Sequence, residues 1–132
     1  MADARLKTTG RRTSPYFLAM PHHILESEQY ARLSSKAVKL LLDLGGQYRG
    51  KNNGDLSAAW KIMERRGWRS RDTLVKALKE LLDSGFIIKT RQGGKNKPCL
   101  YALTWKGIDE CRGKLDMAPA SVPLNLWKSG KP

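Results

Sequence analysis

The clearest hydrophobic pattern in the chain begins at Leu74, where the apolar positions are Leu74, Ala77, Leu78, Leu81 and Leu82. Spacings of three and four residues put these on one stripe of a helix and turn Lys76, Lys79, Asp72 and Thr73 away from it. Ser70 stands where a hydroxyl can accept from the first free backbone N–H groups. Asp72 complements the helix dipole, and Gly85 supplies a left-handed stop. A helix over 71–84 is therefore predicted. Upstream, Ala37, Val38, Leu40, Leu41, Leu42 and Leu44 are apolar around most of a helical circumference, the pattern of a buried central helix. Ser34 is its expected cap, with Leu33 spaced to staple onto Val38.

Turn-forming residues divide what lies between and around these helices. Asn52-Asn53-Gly54 reads as a turn and Asp55-Leu56-Ser57 as a very short strand, with Ser57 opening a helix over 58–66 that Gly67 ends. After Gly85, Phe86-Ile87-Ile88 starts a strand that continues through Arg91, and residues 100–105 supply a second. The seven-residue basic loop 92–98 between them is longer than most hairpin connections. Residues 107–111 are expected to add a last helical turn or two. Residues 15–33 read as an extended run-in with one or two short helices. The fold class is mainly α with a small antiparallel β-hairpin, an α+β arrangement. Three segments follow: a flexible basic arm over 1–14, a domain over 15–113, and an irregular tail over 114–132. Pro119, Pro123, Gly130 and Pro132 break that tail, which is laid on the body through Leu124, Leu126 and Trp127.

Charge narrows the choice of partners. Among 132 residues, 25 Lys and Arg oppose 12 Asp and Glu, a formal net charge of +13 that favours a polyanion. The surplus is concentrated in 67–98, where only Asp72, Glu80 and Asp83 oppose Arg69, Arg71, Lys76, Lys79, Lys89, Arg91, Lys95 and Lys97. No apolar run approaches the roughly 18–20 residues of a membrane span. Arg5, Lys7, Arg11 and Arg12 are followed by no apolar core, which argues against a secretory signal. Cys99 and Cys111 fit no metal or redox spacing and read as reduced thiols of a cytoplasmic protein. His22-His23 has no positioned nucleophile, and Gly93-Gly94-Lys95 lacks the remaining residues of a phosphate-binding loop. The chain is expected to be no enzyme and to carry no metal and no cofactor.

The order helix, tiny strand, helix, turn, helix, hairpin resembles the winged helix-turn-helix DNA-binding domain. The residues that carry the likeness are Asp55-Leu56-Ser57, Gly67-Trp68-Arg69-Ser70, Thr73-Leu74 with Ala77-Leu78 and Leu81, and Gly85-Phe86-Ile87. Phe17 through the leucine-rich helix is similar to helix-turn-helix proteins of bacterial plasmids, phages and integrated elements. The turn over 67–70 is about a residue longer than the tightest form of the motif.

The resemblance implies double-stranded DNA as the partner, with the helix over 71–84 in the major groove and the loop 92–98 as a wing. Base and phosphate contacts then fall to Arg69, Ser70, Arg71, Thr73 and Lys76. Wing contacts fall to Lys89, Arg91, Lys95 and Lys97, with Lys89 and Arg91 expected on one strand face. Arg65, Arg66 and Lys79 are further phosphate candidates. The N-terminal arm is a candidate for an adjacent minor groove. Trp60, Trp68 and Trp105 are read as core or core edge rather than stacking platforms, while Trp127 is open to a partner subunit.

The expected function is sequence-specific transcriptional regulation of bacterial or phage type in a cytoplasmic, nucleoid-associated protein, as a possible homodimer. The alternatives are a plasmid or phage replication protein, non-specific nucleic-acid coating, and a winged helix used as a protein-interaction module.

Overall fold

The computed structural model describes residues 15–129, so the basic arm lies outside the described residues. Two one-turn helices, α1 (His22–Leu25) and α2 (Glu28–Ala31), lead into α3 (Ser35–Gly45). The Ser34 hydroxyl accepts the Ala37 N–H at 3.1 Å and opens α3 as a cap. Strand β1 (Leu56–Ser57) precedes a short α4 (Trp60–Glu64) and then α5 (Arg71–Ser84), which Ser70 caps through Thr73 N–H at 3.2 Å. Strands β2 (Ile87–Arg91) and β3 (Leu100–Leu103) complete a three-stranded antiparallel sheet in the order β1-β3-β2. The result is an α+β fold with five α-helices among the described residues. None of them is long and apolar enough to cross a membrane.

The core lies between α3, α5 and the sheet. Ala37, Leu40, Leu41 and Leu44 of α3 meet Leu74, Ala77 and Leu81 of α5, with Phe86, Ile87, Leu103, Met63 and Trp68 closing the sides. Both α4 and α5 end on paired bonds into a left-handed glycine. Gly67 N–H donates to Glu64 and Trp68 N–H to Met63, while Gly85 N–H donates to Leu82 and Phe86 N–H to Leu81.

Several expectations are corrected by tertiary partners. Leu42 is 51% exposed while Asp43, beside it in α3, is only 9% exposed. The Asp43 carboxylate accepts from Trp68 Nε1 at 2.8 Å and from Lys39 Nζ at 2.9 Å, so its burial is satisfied. The Ser57 hydroxyl bonds Ala59 N–H two residues on, a local turn rather than a helix cap, and α4 starts only at Trp60. Strand β3 stops at Leu103 instead of running to Trp105. There the buried Asn53 amide replaces a neighbouring strand: its Oδ1 accepts Leu103 N–H at 2.8 Å and its Nδ2 donates to Leu103 O at 3.0 Å and Gly107 O at 2.7 Å. The helical turn expected over 107–111 is absent. Ile108 instead bridges Ala120, and one 3-10 turn forms at Cys111–Gly113.

The tail is built into the body. The Trp127 indole is buried and stacks on Phe86 with ring centroids 6.0 Å apart, so it is a core residue of its own chain. Gln29 Nε2 donates to Lys128 O at 3.0 Å, and Asn125 N–H donates to Thr104 O at 2.7 Å. A Cβ on Gly85 would collide with the Leu126 carbonyl, so this position requires glycine for space as well as for its φ of 82°.

Candidate nucleic-acid interface

The turn between α4 and α5 is fixed from inside by one aromatic residue. Trp68 is buried, its N–H is held by Asp43, and Lys36 and Lys39 each approach its ring to 5.7 Å from the centroid. Lys39 Nζ also donates to Arg66 O at 2.8 Å, which ties the turn to α3 a second time. With Trp68 pointing inward, Arg65, Arg66 and Arg69 are left exposed on the turn. Arg71, the first residue of α5, lays its guanidinium over Trp60 at 5.3 Å from the ring centroid. Trp60 is half-buried, so this pair sits at the core edge, next to the helix start.

Helix α5 is anchored at both ends and balanced in charge. Arg71, Lys76 and Lys79 are opposed within the same helix by Asp72, Glu80 and Asp83. Lys79 Nζ pairs with Asp83 at 2.8 Å on the surface. Glu80 is engaged with the start of α3, accepting from Ser34 N–H at 2.8 Å and from Ser34 Oγ at 2.6 Å. Lys76 is exposed and borders a groove shared with Gln29 and Arg32. Thr73 is half-buried, and the Ser70 hydroxyl is occupied by the cap bond to its N–H.

The hairpin departs from simple alternation. Lys89 pairs with Tyr101, but Arg91 pairs with Leu100, so a bulge at Thr90 inserts one extra residue into β2. Tyr101 and Leu100 face opposite ways, hence Lys89 and Arg91 stand on opposite faces of the strand, contrary to expectation. Thr90 itself is buried and donates its hydroxyl proton to Gly54 O at 2.6 Å. The guanidinium of Arg91 donates from Nη2 to Pro98 O at 3.0 Å, spanning the root of the loop. Its Nε is buried without a partner among the described residues. Lys89 Nζ donates to Gln92 Oε1 at 3.1 Å.

Residues 92–98 close on themselves instead of forming one open loop. Gly94 and Lys97 exchange backbone bonds of 3.0 and 3.1 Å around a Lys95-Asn96 tip, where Asn96 adopts a φ of 61°. The root is braced by Asp116, whose Oδ2 accepts Gln92 N–H and whose N–H donates to Thr90 O, both at 2.8 Å. Pro98 and Cys99 line a hollow with Leu78 of α5 and Ala58-Ala59 before α4, so the root of the loop lies beside the second turn of α5. Lys95 and Lys97 are exposed at the far end.

The predicted cations thus divide into two sets. Arg71, Lys79, Lys89 and Arg91 each have a partner within the chain. Arg65, Arg66, Arg69, Lys76, Lys95 and Lys97 form no side-chain ion pair with a described residue. Asp43, Asn53, Glu80 and Asp116 position these elements and were not singled out from the sequence. Asp43 carried a signal, an acid four residues beyond Lys39 inside an apolar helix, and Asn53 was legible only as part of a turn.

Tyr101, near the root of the loop, and Cys111, beside the turn at Gly54, are both shifted by their surroundings. Burial, reinforced by the Cys99 thiol, pushes the Tyr101 hydroxyl from 10.0 up to about 12. Burial with nearby Asp55 and Asp109 also raises the Cys111 thiol. Among the described residues, no three His, Cys, Asp or Glu side chains gather as a metal site. Comparison with protein-family models, curated proteins and solved structures finds no match to this chain.

Proposed function

We propose that the chain is a winged helix-turn-helix protein that binds double-stranded DNA in a sequence-specific manner, as a transcriptional regulator of bacterial or phage type. The observation that carries this reading is the disposition of uncompensated charge. Arg65, Arg66 and Arg69 lie just before α5, and Lys95 and Lys97 project from a hairpin whose root packs beside it. Helix α5 is the recognition helix and enters the major groove, its N-terminal end leading.

The chemistry divides between the two regions. Exposed arginines at the turn and lysines at the wing tip neutralise phosphates and release counterions. The N-terminus of α5 adds its dipole and backbone N–H groups to the same task. Arg69 and Arg71 have the guanidinium fork that matches the two acceptors of a guanine edge, and Lys76 lies one turn further along. Arg71 is presented by the face of Trp60, which limits the rotamers it must give up on binding.

Selection of sheared genomic fragments by the purified protein at about physiological salt tests the reading, followed by sequencing of what is retained. A narrow set of enriched sites supports sequence-specific binding, and a palindrome over a promoter supports regulation. Direct repeats at a replication origin would move the function to replication. A flat profile would overturn specific readout. With six uncompensated cations engaged, log K is expected to fall against log salt with a slope of about −5.

A further inference from the structure

We infer that Val75 is a specificity-determining residue that reads a thymine through its 5-methyl group, an inference that rests on the DNA-binding reading above. Val75 is 61% exposed in the second turn of α5. The other large apolar residues of this helix face inward: Leu74 and Leu81 are buried, and Leu78 and Leu82 are half-buried against the core. At an exposed helical position a β-branched residue has lower helix propensity than lysine or glutamate. Neither core packing nor helix formation therefore accounts for a valine here.

Its surroundings point to an apolar feature of the major groove. Residues one turn away on the same face are Arg71, Asp72, Leu78 and Lys79, of which Leu78 is half-buried against the core. Arg71 is drawn over Trp60 and Lys79 is paired with Asp83, while Asp72 adds a negative charge in the first turn. The surface around Val75 is consequently poor in free positive charge and ill suited to a phosphate. Of the four bases, thymine presents a methyl group in the major groove, where the others present donors and acceptors. Valine has a strongly preferred χ1 on a helix, so its two methyls are held in a fixed direction. Contact with a thymine methyl buries apolar area on both sides with little ordering cost.

The test uses duplexes enriched by the full chain, with each thymine replaced in turn by deoxyuridine, which lacks only that methyl. At one thymine, or an adjacent pair, wild-type affinity should fall about fourfold, the weight of one buried methyl. Val75→Ala should bind the thymine and uracil forms equally well. This variant raises helix propensity at an exposed site, and an unchanged thermal midpoint checks its fold. Wild type indifferent to every methyl, or Val75→Ala still sensitive, overturns the inference while leaving DNA binding intact. A change in sedimentation of Val75→Ala without a change in methyl dependence also overturns it, and assigns Val75 to contact between copies of the chain. Failure of wild type to enrich any sequence overturns both this inference and the reading beneath it.

Discussion

Helix α5 and the hairpin beside it contribute three and four basic residues, and the difference between them lies in what answers that charge. Helix α5 carries as many acids as bases, whereas residues 87–98 contain Lys89, Arg91, Lys95 and Lys97 and no acid. The helix is held at its start by Asp43 acting on Trp68 and further along by Glu80 on Ser34. The hairpin is held at its root, by Thr90, Arg91 and Asp116, and among the described residues its tip bonds only within itself. A rigid, neutral element discriminates by shape and by directed bonds. A projecting cationic element supplies affinity that is indifferent to sequence and sensitive to salt. On the proposed DNA-binding function, the two regions divide affinity from specificity.

The most forceful way to break this division is to release the helix. Asp43→Ala removes the carboxylate shared by Trp68 and Lys39 and should cost about 3 kcal/mol. For a chain of this size the thermal midpoint should fall by roughly 10 °C. Sequence preference should suffer more than total DNA binding, because the wing lysines remain. Calorimetry and competition binding would show both effects, and an unchanged midpoint would mean that the turn is held by something else.

Removing wing charge should have the opposite signature. Lys95→Ala combined with Lys97→Ala should weaken binding to all duplexes by about tenfold and reduce the salt slope by about 2. The thermal midpoint should not move. A loss confined to one sequence would transfer the wing from affinity to readout.

Smaller effects sharpen the same comparison. Arg71→Ala loses the contact with Trp60, worth about 0.5–1 kcal/mol of stability, and should relax base preference without altering the salt slope by more than about 1. Lys79→Ala breaks only an exposed pair with Asp83 and should change stability by no more than about 0.5 kcal/mol.

At neutral pH the raised Tyr101 hydroxyl has no titration to report. Its proton is held more tightly in the folded chain, so the associated stability is complete below pH 10 and is lost as pH rises toward about 12. Following tyrosinate absorbance and unfolding together over that range would detect it, and early ionisation of all tyrosines would contradict a buried hydroxyl beneath the wing.

What could be read from sequence was the local part of this arrangement. Ser34, Ser70 and Gly85 act through residues within one helical turn, so their capping roles are visible in a short window. The hairpin and its basic tip were legible for the same reason. The bulge at Thr90 was not, because register depends on which residue of β3 lies opposite. Asn53 looked like a turn residue and is one, yet its amide also terminates β3 fifty positions away. Asp43 and Trp68 lie 25 positions apart, and their bond decides which side of α3 is buried. In the candidate interface, the identities of the cations were legible. Which of them are already spoken for was legible only for Lys79, four residues before Asp83 in the same helix; Arg91 at Pro98 and Arg71 at Trp60 become distinguishable only once the chain is folded.

The seat of Trp127 has a consequence for how the protein is made. Phe86 and Gly85, at the junction of α5 and the sheet, are covered by the chain's last described residues. Gln29, near the beginning, reaches the carbonyl of Lys128, 99 positions later. A nascent chain therefore cannot cover this part of its core until Trp127 has left the ribosome, and contacts of such long sequence separation slow folding. A product that terminates before Trp127 would leave Phe86 uncovered, a state open to proteolysis. Translation through Trp127 thus becomes a condition for a fully covered core.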